Sequence, residues 1–265
     1  MRQKLGQHFL SDLGWRRRIF ETLPRNGGDV WLEIGAGHGE MTEMLAGQER
    51  RVVAVERDAR LAERLRERAR EWAGVEVVAG DILSVDLEKV IGVGTGGDGG
   101  ARVRVYGNLP YYITSPILHR LFERAETIAS IHVVIQFEVA ARMVARPGRR
   151  AYGYLSAACQ FYTRPEIVLR IPPGAFRPAP RVTSALVRMA LPGERAGLGI
   201  ADEAGFLKFI QTCFGQKRKT LRNNLRGVAS DERIQGALRA CELRSDARAE
   251  QLTLGQFSAI YQRLT

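Results

Sequence analysis

The chain has 265 residues, 45% hydrophobic, 8% aromatic and 26% charged, an ordinary globular composition that excludes disorder, collagen and coiled coil. At this length a single core stops growing, so one large domain with a smaller appendage is expected. Forty Lys and Arg against 29 Asp and Glu leave a formal charge of +11, which favours a polyanionic partner such as nucleic acid.

The first half alternates short β-branched runs with amphipathic stretches, the pattern of a parallel sheet covered by helices. Strands are predicted at Val30 to Ile34, Val52 to Val55, Val75 to Val78, Val103 to Tyr106 and Ile131 to Phe137. Between the second and third, Leu61, Leu65, Ala69 and Trp72 share one face of a surface helix. The run Gly92 to Gly100 reads as a flexible connection. Pro172 to Pro180 reads as an extended turn between two late strands, Glu166 to Ile171 and Thr183 to Met189, with Phe176 at its centre. Beyond Pro192 to Gly199 the pattern is helical through Leu264. The fold class is therefore α/β, a Rossmann-like sheet over residues 1–195 followed by a small all-helical domain over 200–265.

No stretch approaches the roughly 18 apolar residues of a membrane span, and Met1 to Ser11 lacks the apolar core of a secretion signal. A cytoplasmic chain without membrane association is expected. Cys159, Cys213 and Cys241 are odd in number, far apart and without ligand spacing, so they read as reduced thiols, with no structural metal.

After the first strand comes Glu33-Ile34-Gly35-Ala36-Gly37-His38-Gly39, a strand running into a glycine-rich turn that opens a helix. Such a turn lets a ligand approach the backbone and its amides. A dinucleotide fingerprint wants its third glycine at position 40, where this chain has Glu40. The spacing suits S-adenosylmethionine instead. Glu56 ends the second strand where an acid reaches ribose hydroxyls, and Asp81 comes just after the third. In a parallel sheet Gly35, Glu56, Asp81 and the residues leaving the fourth strand meet at one crevice. The fourth strand leads into Asn108-Leu109-Pro110-Tyr111.

At this tetrapeptide the chain resembles the rRNA adenine dimethyltransferases of the small-subunit type. The resemblance spans nearly the whole sequence. It includes Gly6-Gln7-His8-Phe9-Leu10, the glycine-rich turn, the tetrapeptide, Phe176-Arg177-Pro178-Ala179-Pro180-Arg181-Val182, and Arg218-Lys219-Thr220-Leu221. It implies S-adenosylmethionine as cofactor, contacted by Gln7, His8, Leu10, Gly35, Ala36, Gly37, Gly39, Glu56, Arg57, Asp81, Ile82 and Asn108. Many relatives have Asn at the position of His8, where this chain offers an imidazole able to accept or donate one hydrogen bond.

It also implies two adjacent adenines near the 3′ end of 16S rRNA as substrate, within the immature small ribosomal subunit, acted on by a monomer. The catalytic residues would be Asn108, Leu109, Pro110, Tyr111 and Phe176. Adenine's exocyclic amine is a poor nucleophile, so it must be positioned and polarised. The Asn108 side chain and the Pro110 carbonyl would accept from it, while Tyr111 and Phe176 stack on the extruded base. Beside the small-subunit reading stand the related 23S rRNA enzyme of macrolide resistance and an assembly factor whose binding role outweighs catalysis.

Basic residues cluster at Arg16-Arg17-Arg18, at Arg142, Arg146, Arg149 and Arg150, and at Lys217-Arg218-Lys219 with Arg222. With Tyr152 and Tyr154 beside the second, they read as a phosphate-tracking surface.

Overall fold

A computed structural model describes residues 8–24, 30–47, 51–95 and 102–265. The chain divides into two compact units: residues 1–140 with 166–191, and residues 141–165 with 192–265. The second unit resumes at Pro192, beside the boundary expected near residue 195, but residues 141–165, expected in the sheet domain, also belong to it. A hairpin-like excursion between the last strands leaves the sheet unit and belongs to the helical one.

In the first unit β1 (Phe9–Leu10) precedes helix α1 (Leu13–Thr22). There follow β2 (Val30–Ile34), α2 (Glu40–Ala46), β3 (Arg51–Glu56), α3 (Ala59–Ala69), β4 (Val75–Ala79), α4 (Leu87–Thr95), β5 (Val103–Asn108), α5 (Thr114–Phe122) and β6 (Ile128–Gln136). The chain returns through β7 (Arg164–Ile171), β8 (Phe176–Arg177) and β9 (Ser184–Ala190). All seven predicted strands are present. The glycine run differs from expectation, because α4 continues through Gly92 to Thr95. Its first turns carry Leu87 and Val90 into the core, and that burial extends the helix into a glycine-containing segment. Residues 96–100 lie outside the described residues.

Among the described residues the main sheet runs β4-β3-β2-β5-β6-β9-β7, with β1 and β8 forming a separate pair. Strands β2 to β6 pair parallel with their neighbours, and β9 runs antiparallel to β6. Strand β2 is buried at every position, as a strand covered on both faces must be. From β2 the chain winds outward to β3 and β4, then crosses back to β5 on the other side of β2. The strand order therefore reverses between β2 and β5, and the crevice outside their carboxyl ends is where such sheets take ligands. Helix α3 begins on Asp58, whose carboxylate accepts from the amides of Arg60 and Leu61, a cap that fixes the chain directly after Glu56.

The second unit contains α6 (Phe137–Met143), whose first residues still belong to the sheet unit, then α7 (Tyr154–Tyr162), α8 (Arg195–Leu198), α9 (Glu203–Cys213), α10 (Leu221–Asn224), α11 (Asp231–Ala240) and α12 (Leu254–Leu264). Its core explains why residues 141–165 belong to it. Phe161 of α7 meets Phe206 of α9 at 5.3 Å between ring centroids, and Phe206 meets Tyr261 of α12 at 5.4 Å. The apolar face of α7 is thus satisfied by helices from the C-terminal sequence. Cys159 and Cys213 are buried free thiols, and Cys241 is free and partly buried.

Phe161→Ala should cost about 3–5 kcal/mol of unfolding free energy. In a double-mutant cycle with Phe206→Ala it should show a coupling of about 0.5 kcal/mol or more, measured by denaturant titration. Strict additivity would return residues 154–162 to the sheet unit.

Candidate active site

The reversal between β2 and β5 brings the sequence motifs together. Ile34 lies opposite Gly107 in the sheet, so the residues that leave the two strands, Gly35 and Asn108, are neighbours. A Cβ built on Gly35 would stand 3.8 Å from the Asn108 carbonyl. Gly35, Gly37 and Gly39 have φ of +73°, +59° and +86°, a turn that other residues adopt only with strain. The Gly35 amide is anchored on the Val55 carbonyl at 2.8 Å.

Glu56 ends β3 buried, at 5% exposure. Its carboxylate accepts from the amides of Gly37 and Asp58, both at 2.8 Å. A single acid thereby holds the glycine turn against the start of α3. Asp81 comes after β4, accepts from the Leu83 amide at 3.0 Å and pairs with Arg57 at 3.4 Å. Next to it Ile82 is buried, and its carbonyl accepts from Arg120. Ala36 is also buried, packed with Ala54 and Leu65. Gly35, Gly37, Glu56 and Asn108 therefore share one edge of the sheet, with Arg57 and Asp81 at the adjoining strand end.

The N-terminal segment is fastened to this edge residue by residue. The His8 carbonyl accepts from the Asn108 side-chain amide at 2.8 Å, and the His8 ring lies on Tyr111, with centroids 5.6 Å apart. His8 Nδ1 is 2.7 Å from the Pro178 carbonyl. A carbonyl only accepts, so Nδ1 carries the proton. The Phe9 ring lies against Gly37, where an added Cβ would come within 3.1 Å of it. Gln7 lies outside the described residues.

Several expectations are corrected here. Phe176 is fully buried, and Leu10, its partner across β1 and β8, is buried beside it in one apolar cluster with Ile19, Trp31 and Tyr106. An aromatic surrounded by apolar side chains on all sides gains more from that core than from a solvent-facing position. Phe176 therefore presents no face to a base here, and the Leu10 side chain packs into the core. Leu109 is likewise buried, at 1% exposure, with its amide on the Val134 carbonyl at 3.0 Å. It fixes its neighbours rather than touching a substrate.

The Pro110 carbonyl already accepts from the Ile113 amide at 3.2 Å and the Thr114 hydroxyl at 3.3 Å. That leaves the Asn108 side-chain oxygen as the better placed acceptor, because its amide nitrogen is committed to His8. Tyr111 donates to or accepts from Ser184 at 2.8 Å. Burial holds its phenol above the usual range, against the opposing effect of that bond, so the ring is a neutral platform.

One buried acid was overlooked in the sequence. Glu33, within the glycine-turn motif, is 3% exposed and accepts from the Thr42 hydroxyl at 2.6 Å. Burial pushes its carboxyl up to about 8, opposed by the Thr42 bond and reinforced by Glu40 and Glu56. The only signal in the sequence was its place on a strand buried on both faces.

The basic clusters fare unevenly. Arg142, Arg146, Arg149 and Arg150 are exposed, as are Lys217, Arg218 and Lys219. Lys217 Nζ donates to the Arg150 carbonyl at 3.1 Å, so two clusters distant in sequence form one patch on the second unit. Arg222 is corrected: its guanidinium bonds Asp231 at 2.6 and 2.5 Å, a two-pronged pair that competes with phosphate. Tyr152 is corrected too, being 1% exposed and packed on Phe214.

The whole chain, residues 1–265, matches the family model for ribosomal RNA adenine dimethylase. The chain belongs to that family. It is similar to the ribosomal RNA small subunit methyltransferase A of Koribacter versatilis, 43% identical over 98% of this chain and 93% of the relative. Among solved structures it resembles the 23S rRNA methyltransferase ErmE, with 27% identity, a TM-score of 0.72, and 97% and 99% of the two chains covered. It shares its fold with a dimethyladenosine transferase from Plasmodium falciparum, with a TM-score of 0.75, 20% identity and 96% of each chain covered.

The protein is thus an rRNA adenine dimethyltransferase that uses S-adenosylmethionine. The crevice residues fit that cofactor. A glycine turn without side chains admits it, and the acids Glu56 and Asp81 at the strand ends suit its ribose hydroxyls and its sulfonium charge. Among the described residues no helix is long and apolar enough to cross a membrane.

Because folded Glu33 keeps a proton that an unfolded glutamate loses near 4.5, stability should fall as pH rises from about 4.5 to about 8 and then level off as far as this group is concerned. Glu33→Gln removes that loss. Its melting temperature relative to wild type should rise by roughly 5–10 °C across that window, measured by calorimetry.

Proposed function

We propose that this enzyme dimethylates the exocyclic amines of two adjacent adenines near the 3′ end of 16S rRNA, presented by an immature small ribosomal subunit in the cytoplasm, and that it acts as a monomer with a role in subunit biogenesis. The observation that carries the catalytic assignment is the Asn108 side chain. It stands at the carboxyl end of β5 beside Gly35, with its nitrogen tied to the His8 carbonyl. That bond fixes which end of the amide faces the substrate. The oxygen accepts one hydrogen of the adenine amine, which draws the lone pair out of conjugation and aims it along the line of attack.

S-adenosylmethionine supplies an electrophilic methyl carbon when bound. Glu56 would hold its ribose through the lone pairs not used by Gly37 and Asp58, and the Gly35 and Gly37 turn would lie along its amino-acid portion. Tyr111, with its hydroxyl on Ser184, sets the plane in which the base is received. Its His8-covered face means that the base either takes the place of that ring or stacks beyond it. The methylated nitrogen then releases its proton to solvent, so no general base is required.

The small-subunit assignment rests on the curated relatives, whereas the likeness to ErmE favours the 23S enzyme as the second reading. Offering purified immature small and large subunits separately, with dimethyladenosine mapped in each rRNA, decides between them. Methylation of the large subunit alone would overturn the assignment.

Asn108→Ala should leave cofactor affinity within about twofold while lowering single-turnover methyl transfer by about 100-fold or more, the usual effect of losing a preorganised polar contact to the reacting group. Neutralising Arg149, Arg150, Lys217, Arg218 and Lys219 together should weaken particle binding. It should also lower the slope of log affinity against log salt, by about one unit for each phosphate that is no longer neutralised. Removing Arg222 alone should leave that slope unchanged because Asp231 already occupies it.

A further inference from the structure

Four large hydrophobic side chains are exposed among the described residues: Tyr112 at 62%, Leu13 at 50%, Val182 at 45% and Val228 at 37%. Isolated cases need no explanation. Three of these, however, fall in the three segments that meet at the catalytic edge. His8 stacks on Tyr111, the Tyr111 hydroxyl reaches Ser184, His8 Nδ1 reaches the Pro178 carbonyl, and the Ser11 amide reaches the Ala175 carbonyl at 3.0 Å. Leu13, Tyr112 and Val182 each lie within two residues of one of those fastenings.

The local geometry explains why Tyr112 faces outward. Tyr111–Ile113 is a single 3-10 turn leading into α5. In such a turn successive side chains point about 120° apart. Tyr111 is directed to Ser184, and Thr114 is buried with its hydroxyl on the Pro110 carbonyl, so Tyr112 is left pointing to solvent. No bond fixes the outward ring among the described residues. The flanking segments are basic: Arg177 and Arg181 are exposed, and residues 109–113 and 176–184 contain no acid.

We propose that Tyr112 is the stacking platform for an unpaired nucleotide next to the target adenine, with Val182 and Leu13 extending the apolar rim and Arg177 and Arg181 facing the phosphates. This rests on the rRNA reading above and adds a specificity-determining residue to it. Extruding one adenine strips its neighbour of a stacking partner, and that cost recurs at each of two adjacent targets. An exposed aromatic ring beside the pocket offsets it for any base, because every base has a π-face. A protein partner is disfavoured, since among the described residues only four large hydrophobic side chains are exposed, too few for the apolar core of a stable protein interface, and the 176–184 segment carries two exposed arginines and no acid.

The test uses full-length enzyme and small ribosomal subunits lacking dimethyladenosine. Tyr112→Ala should raise KM for the particle about tenfold while the saturating single-turnover rate stays within about twofold, as loss of one base stack predicts. Cofactor affinity and melting temperature should not move. Tyr112→Phe and Tyr112→Trp should restore KM, and Trp fluorescence in the latter should be quenched on particle binding.

An unchanged KM in Tyr112→Ala, or a Phe variant as poor as Ala, overturns the stacking role while leaving the enzyme's function intact. A wild-type enzyme that methylates large but not small subunits overturns the substrate reading, and this inference with it.

Discussion

Everything at the catalytic edge depends on the reversal of strand order between β2 and β5. Because β2 pairs with β3 on one side and β5 on the other, the loops leaving β2 and β5 have no neighbouring crossover between them. The crevice is therefore open. Gly35 can turn away with positive φ while Asn108 leaves the adjacent strand in register with it. A glycine at 107 is needed for the same reason: a Cβ there would lie 2.8 Å from Leu109 and 3.1 Å from the Ile34 carbonyl. The edge is thus specified by backbone packing before any polar group is placed on it.

The N-terminal segment completes what the sheet begins. Three consecutive residues perform separate tasks: His8 orients Asn108, Phe9 lies over Gly37, and Leu10 inserts into the core beside Phe176. This coupling means that the base-receiving surface and the cofactor turn are covered by one short segment, held by the pairing of β1 with β8, by the bonds of His8 to Asn108 and Pro178, and by the burial of Leu10.

The fold was legible because its signals are local and repeated. Val30 to Ile34 is apolar enough to demand burial on both faces, and the tetrapeptide sits at the end of a strand that could only be central. The illegible features depended on partners remote in sequence. The position of Phe176 requires knowing that Leu10 and Trp31 surround it. The removal of Arg222 from the phosphate surface requires Asp231, nine residues away on the next helix, and the assignment of α7 to the helical unit requires Phe206. In each case the residue type was read correctly, and its partner decided what it does. Glu33 escaped notice for the opposite reason, since an acid in a buried strand looks like part of a motif until its burial is measured.

The two ligands impose opposite electrostatic demands on one chain. A sulfonium is favoured by the acids gathered at the strand ends, whereas rRNA is repelled by them. The net charge of +11 is therefore not spread evenly. Glu56 is buried and shared between two amides, Asp81 is paired with Arg57, and Glu33 remains protonated at neutral pH. Each arrangement limits how far the negative field extends from the crevice. At physiological salt the Debye length is about 8 Å, so exposed arginines farther away than that act on phosphates almost independently of those acids. A third full negative charge beside Glu40 and Glu56 would deepen that field, and the buried neutral acid keeps its bond to Thr42 without adding to it.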